Sequence, residues 1–136
     1  MTVRAFLSFV EEDIQLVNLF RGQAKSQVSA LEFDDYSIKE PFHSTNAEYI
    51  GRGITEQIKY STLTICLYGP TTHESGWVNW ELRKSLDLGK PIMGVRLYDD
   101  GRTRYYPAPL ENWPRVDWNI PQIVATMTRL ANQYRK

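Results

Sequence analysis

Short apolar runs alternate along the chain with stretches whose apolar residues recur every three or four positions. That alternation predicts strands joined by helices, with both faces of a parallel sheet covered. Val3 to Phe9 reads as the first strand. Glu11, Glu12 and Asp13 follow at a helix start, where the macrodipole favours carboxylates, and the helix continues through Leu16, Leu19 and Phe20. Leu31 to Asp34 is a short second strand. Asp35 to Ser44 reads as a loop, with Pro41 excluding a continuing helix. Thr45 and Glu48 have the spacing of a capping box, and Ile50, Ile54 and Ile58 mark one helical stripe behind it. Leu63 to Tyr68 is almost wholly apolar and is closed by Gly69-Pro70, the pattern of a central parallel strand. Ser75 caps a third helix that reaches about Leu88, with Gly89 as its terminator. Pro91 to Leu97 is the fourth strand. The stretch 98–114 has no period and predicts no element. Arg115 to Trp118 reads as a short edge strand, and Asn119 and Pro121 open a last helix whose stripe of Ile123, Met127, Leu130 and Tyr134 faces the sheet.

Five strands joined in this way give an α/β class and a flavodoxin-like three-layer sandwich. Its five-stranded parallel sheet is ordered 2-1-3-4-5, because crossovers are right-handed. One domain is expected across residues 1–136. Ligands in such sheets bind beyond the carboxyl ends of the strands, which directs attention to Ser8, Phe9, Asp34, Asp35, Tyr68 and the start of the third helix.

Composition narrows the function classes. The 16 basic and 16 acidic residues cancel. Without a basic stripe there is no electrostatic reason to favour a nucleic-acid backbone, so no nucleic-acid partner is expected. Cys66 is the single cysteine, which rules out an intramolecular disulfide and a cysteine metal cluster. It sits mid-strand, where a buried, inert thiol is expected. His43 and His73 stand alone in loops without ligand spacing, so both are expected at the surface and no metal is expected. The apolar run at the N-terminus is too short to span a bilayer and lacks a cleavage-site pattern; the expectation is a cytoplasmic protein without a membrane partner.

The segment Ser75-Gly76-Trp77-Val78-Asn79-Trp80-Glu81-Leu82 carries the most chemistry. Val78, Leu82 and Leu86 recur every four residues and are expected on the sheet. Trp77 and Glu81 form a stripe rotated by about 100° from it. Glu81 is therefore expected at the helix edge, beside Trp77 and Trp80, over the strand ends. A carboxylate between two indoles suits a flat, cation-bearing ligand, through stacking and charge. The plain alternative is a solvated glutamate beside two tryptophans that pack the helix on the sheet.

Two segments resemble the boxes of TIR domains. Ala5-Phe6-Leu7-Ser8-Phe9-Val10-Glu11-Glu12-Asp13 resembles the first box, a strand ending Phe-Leu-Ser-Phe before an acidic helix start. Ser75 to Leu82 resembles the later box, Ser-x-Trp-x-x-aromatic-Glu-Leu, which bears the catalytic glutamate of NAD-cleaving TIR enzymes. The nearest branch looks like the small TIR-like proteins of Thoeris anti-phage defence. The loop from Asp35 to Phe42 lacks the arginine-aspartate and proline-glycine of receptor-type TIR loops. Asn112-Trp113 and Asp117-Trp118 match the third box only in part.

The resemblance implies cleavage of NAD at the nicotinamide–ribose bond, with NAD as substrate, no cofactor, and Glu81 as the catalytic carboxylate. Ser8, Phe9, Trp77 and Trp80 would shape the substrate site, and Asp35, Tyr36 and Ser37 would open a loop that closes over it. It also implies self-association on activation, a phage-derived activator, and an effector reached through the nucleotide signal. Three products stay open: ADP-ribose, a cyclic isomer or a conjugate. A non-catalytic TIR-type interaction module is the alternative. A receiver-like domain ranks last, because Tyr68 and Leu97 stand where a receiver needs aspartate and lysine.

Overall fold

A computed structural model of the chain describes residues 3–28, 31–34, 42, 44–99 and 101–134. Five parallel strands form one sheet: β1 (Val3–Ser8), β2 (Leu31–Asp34), β3 (Leu63–Tyr68), β4 (Ile92–Arg96) and β5 (Arg115–Asp117), in the order β2-β1-β3-β4-β5. Among the described residues four α-helices cover it: α1 (Ile14–Gln27), α2 (Ala47–Lys59), α3 (Gly76–Asp87) and α4 (Ile120–Gln133). The fold is the flavodoxin-like α/β arrangement expected from the sequence.

Strand alternation sorts the core into two layers. Ala5 and Leu7 of β1 join Leu63, Ile65 and Leu67 of β3, Met93 and Val95 of β4, and Val17, Phe20, Ile123 and Met127 of α1 and α4. On the other face Phe6 packs with Ile50, Ile54 and Ile58 of α2, while Cys66 and Ile92 pack with Val78 and Leu82 of α3. All six residues of β3 are buried, as its apolar run requires. Phe20 is fully buried between the rings of Phe33 and Trp118, at 5.6 and 6.5 Å, and burial of such a side chain stabilises by about 1.5–3 kcal/mol.

Both helix caps that rest on a single polar residue form. Ser75 Oγ accepts from Val78 N at 3.2 Å, and Asn119 Oδ1 accepts from Gln122 N at 3.0 Å, each a contribution of about 1 kcal/mol. Gly89 closes α3 with φ 76°, a conformation open to glycine at little cost.

Three local expectations are corrected. α2 takes Asn46, not Thr45, as its N-cap, and no side-chain cap bond forms, so the Thr45–Glu48 capping box is absent. α1 begins after a 3₁₀ turn at Glu11–Asp13 and buries Val17, Phe20 and Ala24, leaving Leu19 52% exposed. Tyr134 lies just past the end of α4 and is exposed, its ring 5.5 Å from Trp113 rather than on the sheet. The stretch that predicted nothing is tied down by a 3₁₀ turn at Ala108–Leu110, whose Leu110 is fully buried. Among the described residues, no helix is long and apolar enough to cross a membrane.

Candidate functional site

The buried face of α3 comprises Val78, Glu81, Leu82 and Ser85, an i, i+3, i+4, i+7 set. Glu81 therefore lies within the face on the sheet, only 4% exposed, and not at the helix edge as its spacing from Val78 and Leu82 had suggested. Leu86 is half-buried.

β1 ends directly beneath this carboxylate. Ser8 is fully buried, and its Oγ donates to Glu81 Oε1 at 2.6 Å. A hydroxyl bonded to a carboxylate at that length is a strong, orienting contact. One helical turn further on, Ser85 Oγ donates to the Glu81 carbonyl at 2.8 Å and lies 2.7 Å from Thr64 Oγ1 of β3. Two polar contacts thus fix α3 in register on the sheet, one to β1 and one to β3. Thr64 and Ser85 were not singled out in the sequence. The signal available was a polar residue four positions after Glu81, opposite a threonine in an otherwise apolar strand.

Cys66 stands beside Ser8 in the sheet register and is fully buried. Burial pushes its thiol well above the ordinary value, and the charge of Glu81 adds to the rise. The native protein is therefore expected to leave a thiol-reactive disulfide reagent untouched at pH 8 and to react with one equivalent once unfolded in guanidinium. Rapid labelling of the native protein would contradict that.

Trp77 and Trp80 turn toward α2. Their rings are 5.6 Å apart, Trp77 meets Phe42 edge-on at 5.1 Å, and both pack on the cluster of Phe6, Ile50 and Ile54. With Gly51, Arg52 and Lys84 they line a cavity of ≈ 430 Å³ between α2 and α3. Lys84 Nζ lies 5.4 Å from the Trp80 ring. Both indoles are half-buried, so packing and cavity lining fall to the same residues. Glu81 is not among the residues that line this cavity.

The remaining sequence candidates scatter. Phe9 packs with the core layer of α1 and α4, with the Arg21 guanidinium 6.0 Å from its ring, and so faces away from Ser8 and Glu81. Asp34 pairs with Arg4 at 3.0 Å. Asp35, Tyr36, Ser37 and His43 lie outside the described residues. His73 is not simply a surface residue: its Nδ1 is buried without a hydrogen-bond partner among the described residues, and its ring packs 5.2 Å from Tyr105.

Asp13, unmarked in the sequence except as a helix-start charge, gathers three strand ends. Tyr98 donates its hydroxyl to Asp13 Oδ1 at 3.0 Å, and a Cβ on Gly69 would come within 2.6 Å of Oδ2. Burial raises the Asp13 carboxyl above its ordinary value; the Tyr98 bond lowers it in part and the Glu12 charge raises it further. The folded state therefore holds this proton more tightly than the unfolded chain does. Stability from Asp13 is fully present below the unfolded value and is lost as pH rises through the folded one. Asp13→Asn keeps an acceptor for Tyr98 and is expected to be more stable than wild type at pH 7. The advantage should vanish below about pH 4. Urea unfolding at the two pH values checks this, and a variant less stable at pH 7 would count against it.

Comparison with known proteins places this geometry in a family. The family described as "Thoeris protein ThsB, TIR-like domain" matches residues 6–102. A Bacillus cereus (strain MSX-D12) protein named "Putative cyclic ADP-D-ribose synthase ThsB1" is 30% identical over 101 residues, which is 71% of this chain and 53% of the relative. The chain thus spans about half the length of that curated relative. A crystal structure of a 3-dehydroquinate dehydratase-like protein from Bifidobacterium longum aligns with TM-score 0.53 at 12% identity, covering 100% of both chains, a likeness of fold alone. The matched span runs from the end of β1 through α3 and β4, so that Ser8 and Glu81 both fall inside it, and this chain belongs to the TIR-like domain family of Thoeris protein ThsB.

Proposed function

We propose that this chain is a TIR-domain enzyme of anti-phage defence that cleaves NAD at the nicotinamide–ribose bond. It makes an ADP-ribose-derived signalling nucleotide, cyclic or conjugated, and that nucleotide activates a partner effector. The observation that carries the proposal is the Glu81 carboxylate, held at the carboxyl end of β1 by the Ser8 hydroxyl at 2.6 Å. The family and the name of the Bacillus cereus relative support it.

The chemistry asks little of the protein. As the bond to nicotinamide lengthens, positive charge builds on the ribose, and a fixed carboxylate nearby stabilises it. Nicotinamide leaves as a neutral group, so no strong general acid is required. Glu81 is the carboxylate assigned to this step, and Ser8 orients it. Trp77 and Trp80 are assigned to the flat rings of the substrate, and Asp35, Tyr36 and Ser37 to the loop that closes over it; Phe9, packed in the opposite core layer, is given no contact with substrate. NAD is a substrate here, so no cofactor is called for. The activator is phage-derived, and the active form is self-associated.

A second reading, a non-catalytic TIR-type interaction module, has one observation on its side: Glu81 is 4% exposed, the burial of a carboxylate that holds a helix in place. Nicotinamide release separates the two. The purified protein is assayed at high concentration, alone and with extract of phage-infected cells, beside Glu81→Gln. Release that is lost in the variant supports the enzyme, whereas release at the same rate in both would end it.

A further inference from the structure

A second cleft, of ≈ 350 Å³, lies at the carboxyl ends of β3, β4 and β5, and no residue of α3 lines it. Among the residues that line it, three guanidinium groups, Arg96, Arg104 and Arg115, face one carboxylate, Asp117. Two of the three are fixed. Arg96 pairs with Asp117 at 2.8 Å and with Asp99 at 3.4 Å. Arg115 donates to the carbonyls of Leu110 and Glu111 at 2.7 and 3.0 Å and lies 4.0 Å from the Tyr106 ring centroid. Arg104 is exposed and makes no ion pair or hydrogen bond with any described residue.

An independent feature marks the same place. Thr103 lines the cleft, is 7% exposed, and its Oγ1 is buried with no hydrogen-bond partner among the described residues. Folded proteins rarely leave a buried hydroxyl unpaired, and here it stands in sequence beside the exposed Arg104 guanidinium. Tyr105 follows it, lines the cleft at 64% exposure, and has its ring 5.2 Å from that of His73. The lining carries three guanidiniums and one carboxylate, with Asp99 on Arg96 and Glu111 on the Tyr106 hydroxyl at its margin; the Arg104 cation, an unused hydroxyl donor and an exposed aromatic ring match the parts of a nucleotide, an oxyanion and a planar base.

We propose that this cleft binds the phosphoryl group of a nucleotide, with Thr103 Oγ1 and Arg104 on the phosphate oxygens, Arg115 behind them, and Tyr105 against the base. Two sources share that chemistry: the diphosphate of NAD and the phosphates of a separate nucleotide. The first rests on the NAD-cleaving reading; phosphate binding itself does not.

Calorimetric titration of the full chain with inorganic pyrophosphate and with ADP-ribose tests the proposal without any turnover. Both probes are expected to bind, more weakly as salt rises. Thr103→Val and Arg104→Ala, checked for wild-type circular dichroism and melting temperature, should each weaken binding at least tenfold. NAD titrated into the same variants on a Glu81→Gln background identifies the source. Weakened NAD binding assigns the cleft to the substrate's diphosphate, and unchanged NAD binding with ADP-ribose lost assigns it to a separate nucleotide. Absent heats for pyrophosphate and ADP-ribose, or equal affinities in wild type and both variants, would overturn the proposal.

Discussion

Glu81→Gln is expected to lower nicotinamide release from NAD by about 10²–10³-fold or more, while the protein stays folded. Glutamine keeps the shape of the side chain and an oxygen that accepts from Ser8 Oγ, so the 2.6 Å contact has a successor in the variant. What it removes is the negative charge, and only the charge opposes the cation that forms on the ribose. At a site 4% exposed this near-isosteric exchange leaves no cavity, so the variant is expected to stay folded and to melt cooperatively. Ser8→Ala serves as the companion. Ser8 acts through Glu81, and its removal should cost about one to two orders of magnitude, seen mainly in kcat. A Glu81→Gln protein with full activity, or one that loses several degrees of melting temperature beside a wild type that releases no nicotinamide under any condition, would assign this carboxylate to the architecture.

The parts of the fold that could be read in advance are those where local pattern and tertiary burial ask for the same thing. β3 was legible because all six of its residues are buried, so the strand is a bare apolar run between polar turns. α3 and α4 were legible at their starts because Ser75 and Asn119 each close one orphan backbone N–H by themselves. The existence of α1 was legible, but its phase was not. Leu16, Leu19 and Phe20 offer one stripe and Val17, Phe20 and Ala24 another, and only docking against β2 and α4 selects the second.

The placement of the candidate residues was legible only in part. The strand-end rule put Ser8 and the third helix around one cleft, and the Ser8 hydroxyl bonds the Glu81 carboxylate. The depth of Glu81 was not legible. A polar residue inside an apolar i, i+3, i+4, i+7 face is invisible to a pattern built on hydrophobicity; its partner, Ser8, is 73 positions away. Alternation along β1 also separates Phe9 from Ser8, one to each face, which adjacency in sequence conceals. Asp13 escaped for the same reason, since its partner Tyr98 is 85 residues distant.

The connection from β4 to β5 shows the limit most clearly and carries the second large prediction. It has no period because it is held by single anchors. Leu110 is fully buried against Cys66, Tyr68 and Val78, so close to the sheet that a Cβ on Gly94 would lie 2.9 Å from Leu110 Cδ1. Arg115 then takes up the carbonyls of Leu110, Glu111 and Trp113, which locks the turn that Leu110 ends. Leu110→Ala removes the anchor and leaves a cavity in a layer shared by α3, β3 and β4, at an expected cost of about 2–5 kcal/mol. For a chain of this length that corresponds to a fall in melting temperature on the order of 10 °C. Leu110→Met, which nearly preserves volume, should cost less than about 1.5 kcal/mol. Urea and thermal unfolding of the two variants read the difference directly. An alanine variant that melts within about 2 °C of wild type would mean that the backbone bonds of Arg115, and not the Leu110 side chain, hold this connection on the sheet.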